Sequence, residues 1–514
     1  MTGSPSATDE SARPDARVAF ALAAVIVVAL LARAQASLVP DFVAGDDGAY
    51  YLVQVRAILR EGRLALPDFP LLFYAQAAIA GILSPFVDQR AAIVAAVRWT
   101  DTIVPVVLAV PVYLFVRAFR RGGTGSTGPV LAMVFAGLVA TVSGNSLLMA
   151  GGTIKNAAAL PFSLLFVFHL YRTYGDGGRR SAAPAVAFLL VSSLTHVSAL
   201  ALNGTLATLF VAAALAAPAV RARVLRPALM LLAALASVVG VILAIDPDHA
   251  WRLLGVLAHP GRFIEGSLLT LWLQGAPHLP VEEVVTSEEV WLGNGLGLLG
   301  LYALWRHRAD TDGATRAILW ATTLTTLFFS SPLLAPDLLK RLALVAYVPG
   351  LVPLAFLLCR DASAVAVVAP MTALVVLAGA LAVKTNQVTA LVRPAYEELV
   401  RLKTALPPGR SIVITRHGLA WWMVWTMDVH FSARASRALA DREAYDAVLL
   451  LDEIAPGAFG RQATRLARAT PGAAVFDGDL LRSETITTLA EGVYFRLSRV
   501  GEPEAPEPEG RPRS

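Results

Sequence analysis

Apolar runs of about twenty residues recur along the chain, separated by short polar segments in which arginine dominates. Such runs fall near 17–38, 96–117, 129–149, 157–174, 183–198, 200–219, 227–245, 290–305, 317–333, 342–359 and 363–383. A helix needs about 20 residues to cross a hydrocarbon core, so the pattern predicts about eleven spans. The short 183–198 run and its neighbour also fit one broken helix pair. A cleaved signal peptide would account for the first run alone, but that run is long for an h-region and further spans follow it.

Two segments between the expected spans are long. The first, 39–95, contains a helical stretch from Tyr50 to Arg60 and an apolar stretch from Pro70 to Leu83. The second stretch is short for a crossing, so it is expected to lie in the interface or to re-enter. The other long segment is 246–289. From residue 388 the pattern changes. SIVITR at 411–416 and DAVLLLD at 446–452 read as strands, with shorter strands expected near 473–477 and 493–499 and helices between. That alternation predicts a small α/β domain. The expected division is a disordered tail (1–16), a membrane domain (17–387), the α/β domain (388–500) and a disordered Pro/Glu tail (501–514).

Composition narrows the class. The 514 residues are 56% apolar and 16% charged, and the mean hydropathy is +0.61. Soluble proteins are about 45–50% apolar and about 25% charged, so the composition argues against a simple cytosolic enzyme. The net charge of +5 comes from arginine, since only Lys155, Lys340, Lys384 and Lys403 are lysines. The basic residues do not form a nucleic-acid surface. They cluster at the ends of apolar runs: Arg117, Arg120 and Arg121; Arg172, Arg179 and Arg180; Arg221, Arg223 and Arg226; Arg306, Arg308 and Arg316; and Arg360. The positive-inside rule puts these clusters in the cytoplasm. The expectation is a multi-pass protein of the plasma (inner) membrane, surrounded by membrane lipids, with a cytoplasmic N-terminus and an extracytoplasmic α/β domain. The lone Cys359 rules out an intrachain disulfide.

Several residues could carry chemistry. The first long segment opens with Asp46-Asp47 followed by Tyr50 and Tyr51. The pair is either a solvated, acidic helix N-cap or a pair of repelling carboxylates, one able to act as a base near neutral pH. Lys155 follows Gly151-Gly152 in a polar turn, which is either a tight hairpin or an anion site where glycine lets backbone N–H groups approach. His196 ends the polar run Ser192-Ser193-Leu194-Thr195 at membrane depth, where it contacts substrate or bonds between helices. Lys340 and Arg341 open a span, as snorkelling residues or as ligands of a lipid phosphate. Arg56 is expected to face solvent or headgroups. Asp246, Asp248 and His249 are weak candidates for a divalent metal such as Mg²⁺ or Mn²⁺, against a plain helix-end turn. Trp421, Trp422 and Trp425 are expected to pack in a core or at the interface.

The acidic pair with Tyr50, followed by Pro67-Asp68-Phe69-Pro70-Leu71-Leu72-Phe73-Tyr74-Ala75-Gln76, then Arg98 and many spans, resembles the GT-C class of membrane glycosyltransferases. Lys340-Arg341, followed by Tyr347 and Pro349, is similar to the basic-aromatic-proline motif of a late span in that class. The resemblance covers about residues 17–385. It implies an enzyme that takes a sugar from a polyprenyl-phosphate donor and passes it, with inversion, to a glycan, lipid or protein acceptor on the outer face. It implies Asp46 as catalytic base and Asp47 as its partner. By the same resemblance Arg341, with Lys340 and Lys155, would bind the donor phosphate, and Tyr50, Tyr74, His196 and Arg98 would contact substrate. No cofactor is required. Oligosaccharyltransferases of the class use a metal, but their Trp-Trp-Asp-Tyr-Gly motif is absent, Trp421-Trp422 matching only its start.

Two other functions compete. A transporter or flippase of a lipid-linked or polar substrate would show internal repeats and broken helices at the midplane, and no clear repeat is present. A carbohydrate polymerase or ligase of another membrane class would use outer-face Arg and His, without the long acidic first loop.

Overall fold

The structure, a computed structural model, describes residues 15–45, 47–120, 127–175, 179–216, 218–245, 259–267, 288–389, 391–455 and 475–501, with single positions at 247, 270, 273 and 458. The expected tails lie almost wholly outside the described residues. Two compact units emerge. The first comprises Met1–Gln35, Leu66–Ala75 and Trp99–Val383, and the second Ala36–Ala65, Gln76–Arg98 and Lys384–Ser514.

The helices run in chain order as α1 (Ala16–Ser37), α2 (Gly48–Glu61), α3 (Leu71–Leu83), α4 (Gln89–Ile103), α5 (Ala109–Phe119), α6 (Gly128–Val142), α7 (Gly144–Leu148), α8 (Ile154–Gly175), α9 (Arg179–Thr195), α10 (Val197–Leu215) and α11 (Pro218–Ile245). They continue as α12 (Glu288–Arg306), α13 (Gly313–Phe329), α14 (Pro336–Arg360) and α15 (Val365–Thr389). The expected spans fall on helical segments, but 96–117 takes in α4, a 3₁₀ stretch at Val104–Leu108 and α5, and 129–149 takes in α6 and α7. Among the described residues seven helical segments are long and apolar enough to cross a membrane, and three shorter apolar helices accompany them. Segments α12 and α13 fall outside both groups, because glycines dilute the first and threonines the second. The chain is a multi-pass membrane protein. The paired runs at 183–198 and 200–219 are two helices, α9 and α10, broken at an extended His196.

Packing in the first unit depends on small residues. A Cβ added at Gly293, Gly297 or Gly300 of α12 would sit 2.6, 2.4 and 2.3 Å from atoms of Ser330, Leu327 and Thr323. The two helices are therefore in close contact along this stripe. Three threonines of α13 are buried with their hydroxyls satisfied, because Thr322, Thr325 and Thr326 donate to the carbonyls of Ile318, Ala321 and Thr322 at 2.7, 2.8 and 2.9 Å, whereas the buried Thr323 hydroxyl, which faces Gly300, has no hydrogen-bond partner among the described residues. Helix α14 is the most buried of the long helices.

The second unit holds a five-stranded sheet of β1 (Ser411–Ile414), β2 (His430–Ser432), β3 (Ala447–Glu453), β4 (Ile486–Glu491) and β5 (Phe495–Val500), ordered β2-β1-β3-β5-β4. Strand β1 is parallel to β2 and β3, pairing Ile412 with His430 and with Val448, and β5 is antiparallel to β3 and β4. The fully buried β1 lies inside the parallel half, as a continuous apolar run should. Three helices join the sheet: α16 (Arg393–Leu402), α17 (His417–Met427) and α18 (Ala435–Ala440).

The strand expected near 473–477 does not form among the described residues. Phe476 makes one isolated bridge to Arg434, and a 3₁₀ turn at Gly478–Ser483 follows. Two strands were not expected. Strand β2 is three residues long, and β4 is a mostly exposed edge with little apolar alternation. The β4–β5 turn is fixed by the buried carboxylate of Glu398 on α16. It accepts the N–H groups of Val493, Tyr494 and Phe495 at 2.9, 2.9 and 2.8 Å.

Candidate functional site

In the first unit the chemistry gathers at the start of α8. The chain leaves α7, turns through Gly151 in the left-handed region (φ 77°), and enters α8 at Ile154-Lys155. Lys155 forms an ion pair with Asp68, both side chains 13% exposed. Its Nζ also lies 5.4 Å from the ring centroid of Phe73, an arrangement favoured by the ring quadrupole. Phe69 donates its N–H to the other Asp68 oxygen at 2.7 Å. The Phe69 ring lies 6.4 Å from that of His196. The His196 Nδ1 caps α10 by accepting the Ser198 N–H at 3.0 Å, so a neutral ring presents Nε2 as donor. The segment 66–75 thus brings Asp68, Lys155 and His196 into one neighbourhood. The sequence reading singled out Lys155 and His196 but assigned Asp68 no role.

A buried ion pair holds this turn. Arg33 of α1 donates to the Asp101 carboxylate at 2.7 Å, and their side chains are 1% and 2% exposed. The Arg33 Nε donates to the Asp101 carbonyl at 2.9 Å, and a further guanidinium N–H goes to the Ser146 carbonyl. The second Asp101 oxygen accepts the Gly151 N–H at 3.0 Å. Asp101 therefore ties the glycine turn before Lys155 to the first helix. Neither residue was singled out from the sequence. The usable signal was an ionisable side chain inside each of two apolar runs, which in a membrane marks a constrained position.

Lys340 and Arg341 are exposed on the first turns of α14. Tyr74, on the first turn of α3, is 44% exposed. Tyr347 is fully buried and donates to the Ala140 carbonyl at 3.3 Å.

In the second unit Asp47 precedes α2 at its N-cap position without a capping side-chain bond. Asp46 lies outside the described residues. The loop geometry explains the glycines around the pair. Gly45 has φ 79°, and a Cβ on Gly48 would lie 2.5 Å from the Val43 carbonyl oxygen. The Asp47 carboxylate lies 3.8 Å from His417 Nδ1 at the start of α17, both side chains about half exposed. The Tyr50 hydroxyl accepts from Gln54 at 2.8 Å, and its ring lies 4.7 Å from Trp421. His417 was not assigned a role, because the sequence gives no sign that a residue so far along the chain returns to Asp47.

The same packing corrects one expectation and supports another. Arg56 is buried, not solvated. It donates to the carbonyls of Trp425 and Val424 at 3.0 Å each and pairs with Asp428 at 3.0 Å. Burial lowers its guanidinium from the ordinary value while Asp428 pulls the other way. Trp421, Trp422 and Trp425 are buried, as core residues. Arg98 is claimed by backbone: it donates to the Ser37 carbonyl at 2.8 Å, to that of Pro40 at 2.6 Å and to that of Leu38, closing the end of α1. An Asp41–Arg393 pair at 2.9 Å follows at the surface, and its hydrogen bond holds the Asp41 carboxyl below the usual range.

The metal candidates Asp246, Asp248 and His249 lie outside the described residues. Among the described residues no three His, Cys, Asp or Glu side chains gather as a metal ion would need.

No protein-family model and no curated protein matches the chain. Solved structures do resemble it. ArnT from Cupriavidus metallidurans bound to undecaprenyl phosphate superposes with a TM-score of 0.56 at 14% identity, over 95% of this chain and 98% of that one. Its apo state gives 0.51 at 14% identity, over 94% and 98%. The archaeal oligosaccharyltransferase AglB from Archaeoglobus fulgidus, in complex with an inhibitory peptide and a dolichol-phosphate, gives 0.52 at 13% identity, over 84% and 69%.

Proposed function

We propose, from the GT-C-like fold these likenesses support, that the protein is a membrane glycosyltransferase using a polyprenyl-phosphate-linked sugar. One observation carries the proposal. The likeness to ArnT holding undecaprenyl phosphate extends over 95% of this chain.

The chemistry asks for a base at the acceptor and cations at the departing phosphate. In our reading the acceptor hydroxyl gives its proton to Asp46, with Asp47 orienting it. The acceptor oxygen attacks the anomeric carbon opposite the phosphate. The bond from that carbon to the phosphate oxygen breaks, the phosphate leaves with the electron pair, and the anomeric centre inverts. Arg341 and Lys340 take the phosphate from the exposed start of α14. Lys155 has three N–H donors, so it can hold Asp68 and still donate to a phosphate. Tyr50, Tyr74 and His196 contact the sugar or acceptor, and Arg98 shapes the loop leading to the acidic pair. The acceptor is a glycan, lipid or protein on the extracytoplasmic face. A divalent metal, if used, would be held by Asp246, Asp248 and His249, and no step is assigned to it.

The test is transfer of labelled sugar from polyprenyl-phosphate carriers in membranes containing the protein. Asp46→Asn is expected to abolish transfer with protein level and insertion unchanged. Full transfer by that variant would remove Asp46 from the mechanism, and no transfer from any such carrier by the wild type would end the glycosyltransferase reading.

A further inference from the structure

The start of α1, the end of α5, the start of α6, the end of α8 and the start of α9 converge on one cavity of about 460 Å³ in the first unit. Among the described residues its charged and imidazole lining is Arg117, Arg120, Arg172, His169 and Asp15, with the hydroxyls of Tyr113 and Ser181 beside them. Three guanidiniums face one carboxylate, and that carboxylate engages Arg120 at 3.4 Å. Arg117 lies over Tyr113, 5.7 Å from the ring centroid. The buried Nδ1 of His169 has no hydrogen-bond partner among the described residues.

Beside the cavity runs an apolar groove of about 640 Å³ between α1 and α6, walled by Phe20, Ala24, Val130 and Val134. The two share the same turns of protein. Val18 and Pro129 line the cavity, while Arg17 and Val130 line the groove. Phe20 is 77% exposed, as expected of a side chain meeting lipid rather than protein.

We propose that this end of the unit binds one anionic phospholipid, its phosphate among Arg117, Arg120 and Arg172 and one acyl chain along the α1–α6 groove. Basic pockets between membrane helices recognise phosphate headgroups in this way, and the groove supplies what a free phosphate would not need. The site is separate from the donor phosphate site proposed above. Arg172 and Lys155 lie at opposite ends of α8, about 26 Å apart at 1.5 Å per residue.

The full-length protein in neutral detergent is titrated with phosphatidylglycerol, with phosphatidylcholine as the net-neutral lipid and inorganic phosphate as the headgroup-only probe. Retained ligand is read by native mass spectrometry. Arg117 and Arg172 are exposed, so Arg117→Gln and Arg172→Gln leave the fold intact. Each should lower phosphatidylglycerol retention roughly fivefold and leave phosphatidylcholine unchanged. Ala24→Phe should weaken phosphatidylglycerol by filling the groove. Equal retention of the two lipids, or no loss in either arginine variant, overturns the proposal. Inorganic phosphate binding as tightly as phosphatidylglycerol, with Ala24→Phe silent, would assign the cavity to a free phosphate and overturn the lipid.

Discussion

The Arg33–Asp101 pair gives the sharpest quantitative prediction. Asp101→Asn keeps the shape of the side chain and can still accept the Gly151 N–H, but it leaves the guanidinium of Arg33, 1% exposed, without its counter-charge. Breaking a buried pair on one side costs about 3–5 kcal/mol. Arg33→Met leaves the Asp101 carboxylate stranded and belongs in the same range. The double variant removes both charges, and its cost should fall well below the sum of the singles, since replacing a buried pair outright is often close to neutral. Unfolding of the full chain in mixed micelles with increasing denaturing detergent, followed by tryptophan fluorescence, gives the four stabilities of the cycle. A second readout separates positioning from bulk stability. Asp101 fixes the turn before Lys155, so donor KM should rise in Asp101→Asn at temperatures where the variant is still folded. A single variant as stable as the wild type, or a strictly additive double, would refute the reasoning.

Other outcomes follow from the same geometry. Glu398→Ala strands three amides of the β4–β5 turn and should cost at least about 2 kcal/mol. Limited proteolysis at 492–495 reports it, with Glu398→Gln intermediate because Oε1 alone accepts from Tyr494 and Phe495. Gly48→Ala would press a Cβ against the Val43 carbonyl, costing about 1–3 kcal/mol and lowering transfer by displacing the acidic pair. Arg341→Ala should raise donor KM with acceptor KM unchanged, as measured by initial rates. The Asp41 carboxyl sits below its ordinary 3.8 through its hydrogen bond to Arg393. Its small contribution is thus present at neutral pH and lost as pH falls through that lowered value, so Asp41→Asn should flatten the acid limb of the stability profile.

Much of the helical architecture was legible because membrane burial writes itself as length and hydropathy. The expected spans fall on helical segments, two of them interrupted at Val104–Leu108 and at Ser143, and the ambiguous pair at 183–219 breaks where His196 interrupts the apolar run. The parallel strands β1 and β3 were equally plain, being short apolar runs between turns. The misses share a cause. Strand β4 alternates weakly because it is an exposed edge, and Arg56 looked solvated because its partners, the carbonyls of Val424 and Trp425, are supplied from a distant stretch of chain. For the site, Lys155 and Asp47 could be picked out by local pattern. Their neighbours Asp68 and His417 could not, since proximity there is a product of tertiary folding, and for Asp101 the apolar run marks a constrained position without revealing its partners.

The glycine stripe of α12 has a mechanical consequence. Gly350 of α14 also faces α12, where an added Cβ would lie 2.7 Å from that of Leu296. Helices α12, α13 and α14 are therefore interlocked on two seams that leave no slack for sliding. A movement within the first unit is therefore expected to carry these three as one rigid keel and to be taken up by segments with looser seams.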